Sequence, residues 1–284
     1  MTQPDIRFAY APTPLGQLHY AEAGSGSPVL LLHQTPRSWD EYREVLPLLG
    51  RHRRAIAMDM YGFGMSAKPA PGTAHTIENF AEGAMALADA LELDTFAVLG
   101  HHTGMFVASE VAARAPARVS AAVFSAGEYA DNEFRATVSR EMRGDGDPDS
   151  AAGDVDVAPI QEDGSHLMTL WAKRYPLYPT GRPDVLNRYI RDALAPGVDP
   201  AEGHRACARY VMEERVELVT APVLLLANTA DPVSYPHTDR VAEAYVNAKS
   251  VEVVEIAGGT VPVMEHKTAD VVSAVEAFLD GVGA

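Results

Sequence analysis

The stretch FAVLGHHTGMFVASEVAARA, residues 96–115, passes from an unbroken apolar run into a helical pattern with a glycine on each side of the change. Residues 96–99 read as a short buried strand, and residues 105–115 repeat apolar side chains at helical spacing. Between them lies Gly100-His101-His102-Thr103-Gly104, a strand-to-helix junction. The same alternation continues on both sides. Toward the start, 77–91 predicts a helix, 55–58 a strand, 39–49 a helix and 29–32 a strand. Residues 6–10 and 17–23 flank Pro- and Gly-containing turns and predict an opening β-hairpin. Toward the end, 119–124 predicts a strand, and there the rhythm stops. From 127 to about 216 the pattern is helical, with stretches at 167–174, 185–193 and 205–214. It resumes with a strand at 223–227, a helix at 241–246, a strand at 251–256 and a helix at 271–279. Strands that are apolar throughout, alternating with helices, predict a parallel sheet covered on both faces. The fold class is therefore α/β, with a core formed by residues 1–126 and 217–284 and a helical insertion at 127–216. No internal repeat is present.

Three short motifs follow predicted strands in order. They are His33-Gln34-Thr35-Pro36-Arg37-Ser38-Trp39, Asp59-Met60-Tyr61-Gly62-Phe63-Gly64-Met65-Ser66, and the Gly100–Gly104 junction. Together they resemble the α/β-hydrolase superfamily over nearly all of the chain outside the insertion. The first resembles the HGxP oxyanion loop of the epoxide-hydrolase and dehalogenase branch, and the second that branch's D-x-x-G-x-G-x-S loop. The resemblance implies an eight-stranded, mostly parallel sheet, a helical cap at 127–216, a cis peptide before Pro36, and a nucleophile elbow at Gly100–Gly104. At such an elbow the sharp turn strains the central residue and lifts its side chain above the sheet. Here that residue is His102, where the family has Ser, Cys or Asp. His101, before it, reads as structural. The acid of the family falls on Asp231, in Asn228-Thr229-Ala230-Asp231-Pro232 after the strand 223–227.

The family's histidine is missing. After the last strand the chain reads Ala257-Gly258-Gly259-Thr260-Val261-Pro262-Val263-Met264-Glu265, which puts Thr260 at that position. His266, six residues on, reads as a surface or helix-start residue. A triad needs a weak nucleophile, a base and an orienting acid. Only the acid is in place, but imidazole is largely unprotonated near neutrality and needs no second base. The resemblance assigns the oxyanion hole to the backbone N–H groups of Thr35 and Thr103, which substitution of side chains spares. The catalytic candidates are thus His102 and Asp231, with His102 leaning into the volume that Thr260 leaves and facing Asp231 directly or through one water.

Candidate substrate contacts are Gln34, which replaces the family's Gly and narrows the site, Thr260, and three aromatics of the insertion: Trp171, Tyr175 and Tyr178. Packing of the insertion against the sheet accounts for those aromatics equally well. No glycine-rich dinucleotide motif, P-loop or metal-ligand spacing occurs, and His33, His101 and His102 do not form a spaced metal set. No cofactor or metal is expected. The segment GDGDPDSAAGDVDVAP, residues 144–159, carries spaced aspartates. However, Ser150 stands where a calcium loop needs Gly and Asp156 where it needs Glu, so a solvated loop is expected.

Composition bounds the partners. The chain has 284 residues, 47% apolar and 22% charged, with 23 Lys+Arg against 39 Asp+Glu and a net charge of −16. That surface repels nucleic acid and anionic membranes. No apolar run approaches the ~20 residues of a membrane span, the opening MTQPDIRFAY lacks a signal pattern, and Cys207 is the single cysteine. A soluble, cytoplasmic protein with a small-molecule substrate is expected, and homo-oligomerisation is left open. The first functional reading is a cofactor-free enzyme that hydrolyses an ester or lactone, or cleaves a C–C bond, in a small carbonyl compound. The alternatives are a catalytically inactive small-molecule binder on the same fold, and an aspartate-nucleophile dehalogenase or epoxide hydrolase, which His102 disfavours.

Overall fold

The computed structural model describes residues 4–70, 72–143 and 155–284. The opening hairpin is β1 (Arg7–Thr13) and β2 (Gly16–Gly24), followed by β3 (Pro28–Leu32), α1 (Val45–Leu49), β4 (Arg54–Met58), α2 (Ile77–Ala90), β5 (Phe96–His101), α3 (Thr103–Arg114) and β6 (Val119–Ser125). Among the described residues four α-helices then intervene: α4 (Asn132–Arg143), α5 (Ser165–Arg174), α6 (Pro183–Ala193) and α7 (Glu202–Arg209). The chain returns to the sheet with β7 (Val223–Asn228), α8 (Thr238–Ala244), β8 (Val251–Ile256), α9 (Val263–His266) and α10 (Thr268–Val282). The eight strands form one sheet in the order β1-β2-β4-β3-β5-β6-β7-β8. Pairings of β2 with β1 and β4 are antiparallel, and all others are parallel.

Alternate side chains of the central strands feed two separate cores, which is why these strands are apolar throughout. Leu30, Leu32, Val98 and Phe124 pack with Phe80 and Leu87 of α2 and Val107 and Val111 of α3. Val29, Leu31, Leu99 and Val123 pack on the other face with Leu46 and Leu49 of α1 and Phe278 and Leu279 of α10. Each fully buried side chain of this size contributes about 1.5–3 kcal/mol. The edge strand β8 keeps Glu252 and Glu255 out in solvent, which discourages pairing with another chain.

The helix expected over 39–49 is broken into a 3-10 turn, Trp39–Tyr42, and α1. Pro47 has no N–H to offer the carbonyl of Arg43, so one continuous helix cannot form. The helix expected over 205–214 likewise stops at Arg209: Tyr210 is extended, and its hydroxyl donates to Glu110 of α3 at 3.0 Å. Of the segment 144–159, residues 144–154 lie outside the described residues. Asp156 does not sit on a solvated loop, as expected from composition. It is 1% exposed and accepts from Arg174 Nε at 2.7 Å and from the Tyr189 hydroxyl.

The inserted helices are fastened to the sheet end by ions. The Arg37 guanidinium is fully buried; Nε donates to Asp192 of α6 at 3.0 Å and Nη1 to Glu265 of α9 at 2.5 Å. Arg188 of α6 reaches Asp40 at 2.6 Å and Glu44 at 2.7 Å. Three chain segments therefore meet at one cation. Removing it would leave Glu265 buried without its counter-ion and Asp192 with Arg191 alone.

Two expected outcomes follow from this packing. A Cβ on Gly104 would lie 2.0 Å from the Leu32 carbonyl oxygen, a backbone atom that cannot move aside. Gly104→Ala should therefore destabilise by more than about 2 kcal/mol, measured by urea unfolding; a change within error would show that the two backbones separate freely. Arg37→Ala should cost about 3–5 kcal/mol, and a near-neutral result would show that its carboxylate partners are not held buried.

Candidate active site

The ends of β3, β5, β7 and β8 converge where parallel α/β sheets carry their ligand crevices. At the end of β5 the backbone turns at once into α3. A Cβ on Gly100 would fall 2.0 Å from the Gly104 carbonyl, so the strand and the helix touch backbone to backbone. His102, at the turn, has φ 46 and ψ −116, a region that side chains other than glycine seldom adopt. That geometry lifts the imidazole out over the sheet end.

The ring meets Asp231. His102 Nε2 lies 2.9 Å from Asp231 Oδ2, directly and not through a bridging group. The N–H direction is off the line to the carboxylate, so the pair is a close electrostatic contact rather than a linear hydrogen bond. Asp231 is 1% exposed. Burial works against its charge, yet the neighbouring His102, the Ser234 hydroxyl at 2.8 Å and the Val233 N–H at 2.9 Å together hold the carboxyl well below the usual range. An ionised Asp231 draws the ring proton to Nε2 and leaves Nδ1 as the basic nitrogen. Nδ1 is neither enclosed nor engaged by a described residue, and His102 borders a cavity.

The loop after β3 forms the opposite side. Its Thr35–Pro36 peptide is cis. The Gln34 N–H donates to Glu41 Oε2 at 2.8 Å, which fixes the loop from below. The backbone N–H groups of Thr35 and Thr103 have no hydrogen-bond partner among the described residues, and both residues line the cavity with His102. From above, α7 presses on this loop: a Cβ on Gly203 would fall 2.3 Å from Thr35 Cβ, so only glycine allows the contact. Cys207, one helical turn further, lies 3.9 Å from the Thr103 hydroxyl, with its thiol pushed up to about 12 by burial.

Other candidates fall elsewhere. His101 is fully buried and neutral, lowered to about 3 by burial and the neighbouring His102; Nε2 contacts the Val261 carbonyl at 2.7 Å and Nδ1 the Ser125 hydroxyl at 3.1 Å. Thr260 does not border the cavity. Its hydroxyl is 2.9 Å from His266 Nε2 and its N–H donates to that nitrogen at 3.2 Å, while Val261 lines the cavity instead. His266 is thereby engaged away from His102, and burial lowers it to about 4. Gln34 lines the cavity, with its amide 3.4 Å from Glu41.

Trp171, Tyr175 and Tyr178 do not line the cavity. Tyr178 is buried with Val185, Leu186 and Tyr189 in a small core between α5 and α6, Trp171 packs on that core, and Tyr175 is 55% exposed. The aromatic stretch therefore holds the insertion together. The lining that sequence reasoning passed over is Phe106, Phe134, Glu128, Arg174, His204 and Cys207, around a volume of about 240 Å³. His204 and Cys207 sit on one face of α7 beside Gly203, a spacing visible in the sequence. No motif marks Arg174 or Glu128. Among the described residues no group of three or more His, Cys, Asp or Glu side chains could hold a metal ion, and no helix is long and apolar enough to cross a membrane.

Comparison with known proteins agrees with this architecture. Over 101 residues the chain is 38% identical to a 2-hydroxy-6-oxo-2,4-heptadienoate hydrolase of Pseudomonas putida, a match covering 34% of this chain and 36% of that protein. Over 92 residues it is 40% identical to a soluble epoxide hydrolase of Corynebacterium sp., covering 32% of each. The match thus spans about a third of the length of these curated relatives. A solved hydrolase from Pseudomonas aeruginosa superimposes with a TM-score of 0.76 over 96% of this chain and 98% of that one; at 21% identity the likeness concerns the fold alone. The model of the alpha/beta hydrolase fold matches residues 27–266, from the strand before the cis-proline loop to the end of α9, and the chain belongs to that family.

Proposed function

We propose that this chain is a cofactor-free hydrolytic enzyme acting on a small organic carbonyl compound, an ester, a lactone or the C–C bond beside a ketone. The observation that carries the reading is the 2.9 Å approach of His102 Nε2 to Asp231 at the floor of a cavity that Thr35 and Thr103 also line. His102 Nδ1 takes a proton from water, and the hydroxide adds to the substrate carbonyl carbon. The resulting oxyanion is held by the Thr35 and Thr103 N–H groups. The imidazolium, stabilised by Asp231, returns the proton to the leaving oxygen or carbon as the tetrahedral centre collapses. The matched segment of the Pseudomonas putida dienoate hydrolase supports the carbonyl substrate. An alkyl-enzyme route of the dehalogenase or epoxide-hydrolase kind has no carboxylate at position 102 on which to form.

Hydrolysis of a panel of esters, lactones and diketones tests the reading. His102→Ala and Asp231→Asn should each lower turnover by a factor on the order of 10²–10⁴. His266→Ala should change it little, and His102→Ser should not restore activity, because that serine has no base within reach. Full activity in His102→Ala would overturn the mechanism.

The same pair predicts a pH signature in stability. The folded state lowers the Asp231 carboxyl below its unfolded value. Its contribution is complete above the unfolded value of ~3.9 and is lost as pH falls from there toward the lowered folded value. The stability gap between wild type and Asp231→Asn, from urea midpoints, should shrink as pH falls below about pH 4. A gap independent of pH would show that Asp231 is not held charged by the fold.

A further inference from the structure

Glu41, in the 3-10 turn Trp39–Tyr42 below the cis-proline loop, has no exposed surface. Its Oε2 accepts the Gln34 N–H at 2.8 Å, and Oε1 lies 3.4 Å from the Gln34 side-chain amide. Gln34 is held on its other side as well: its carbonyl accepts from His33 Nδ1 at 2.7 Å and from the Arg37 N–H at 2.9 Å. The cis bond of the loop lies after Thr35. Across the trans peptide before it, the Thr35 N–H points away from the Gln34 carbonyl. The direction of that donor is therefore set by how Gln34 is anchored, and Glu41 holds one of the two ends.

No strong cation neutralises this carboxyl. Among the described residues the basic group within ion-pair distance is His101, whose Nε2 stands 3.5 Å from Oε1. That ring is neutral, and its Nε2 is turned to the Val261 carbonyl at 2.7 Å. Arg37 already serves Asp192 and Glu265, and Arg188 and Arg191 serve Asp40. Tyr42, next in the turn, donates its hydroxyl proton to the Leu32 carbonyl at 2.8 Å. A buried carboxylate without a partner is costly and takes up a proton instead. Burial accordingly pushes the Glu41 carboxyl well above the usual range; Arg37 pulls it down, while Glu265 pushes it up again. The protonated group still accepts from the Gln34 N–H, and the Gln34 side chain can turn its amide oxygen to take the acid proton.

Charge decides what such an anchor is good for. A carboxylate bonded one peptide away from the Thr35 N–H would repel an oxyanion forming there, in an interior where charges are weakly screened. A neutral acid gives the same anchor without the repulsion. We propose that Glu41 is a protonated positioning residue, which fixes the oxyanion loop through Gln34 and keeps negative charge out from beneath the Thr35 N–H. Its part in turnover rests on the reaction reading above; its protonation does not.

Two measurements on the full chain test this. In protein labelled with ¹³C at the glutamate carboxyls, the Glu41 resonance is the one absent from Glu41→Gln, or from Glu41→Asp where the glutamine variant does not fold. At neutral pH it should stand at the position of a protonated acid, apart from the exposed glutamates. A position nearer the carboxylate overturns the proposal. The second measurement is turnover. Glu41→Leu has no acceptor for Gln34 and should lower kcat by about tenfold or more, with KM within about threefold of wild type. Glu41→Gln restores a neutral acceptor and should bring kcat back to within about threefold of wild type. A larger loss in Glu41→Gln overturns the proposal whether or not Glu41→Leu folds, and so does a Glu41→Leu kcat equal to wild type. If wild type turns over no carbonyl compound, the reaction reading and the positioning role fall together, and the ¹³C position still decides the protonation.

Discussion

Where β5 runs into α3, two backbones are in direct contact, and the rest of the site depends on that approach. Gly100 and Gly104 have no room for a side-chain carbon: each Cβ would fall 2.0 Å from a carbonyl oxygen. Such contact forces the residue between them to φ 46 and points its side chain away from the core. It also leaves the first amide of α3, that of Thr103, without a carbonyl of the preceding turn to bond, in a residue that lines the cavity with His102.

What stands on that turn is an imidazole. Its length lets it meet the acid after β7 from the elbow itself, so the contact does not require a histidine on the loop after β8. That loop is closed by the Thr260–His266 contact and by the Val261 carbonyl bound to His101. The polarity of the ring follows: Nε2 faces the buried carboxylate and Nδ1 the cavity. In a serine triad Nδ1 faces the acid and Nε2 the nucleophile. The reversal follows from attaching the ring at the elbow rather than on the neighbouring loop.

The insertion is held over the site by charge. Arg37 joins the cis-proline loop to α6 and α9, and Arg188 joins α6 to Asp40 and Glu44. Buried ion pairs add little net stability over apolar packing but tolerate little displacement. They fix the height of α6, while Gly203 lets α7 rest on Thr35.

Local pattern determined much of this molecule. Apolar strands alternating with helices dictate a parallel sheet because each strand must feed two cores. The glycine spacing at 100 and 104 marks the elbow because close backbone contact excludes Cβ. The motifs at 33–39 and 228–232 fall at strand ends, where their side chains reach the sheet edge. Other features are properties of long-range contact and left no local mark. The breaks at Pro47 and Tyr210 arise from a missing donor and from a tyrosine drawn to Glu110. Asp156 looked like a loop aspartate because its partners, Arg174, Tyr189 and His204, lie 18 to 48 residues away. The aromatics at 171, 175 and 178 could have faced the cavity or their own helices, and only the packing of α5 against α6 turned two of them inward and left the third in solvent. Which nitrogen of His102 is free was likewise decided in three dimensions, because it depends on where the Asp231 carboxylate lies relative to the ring.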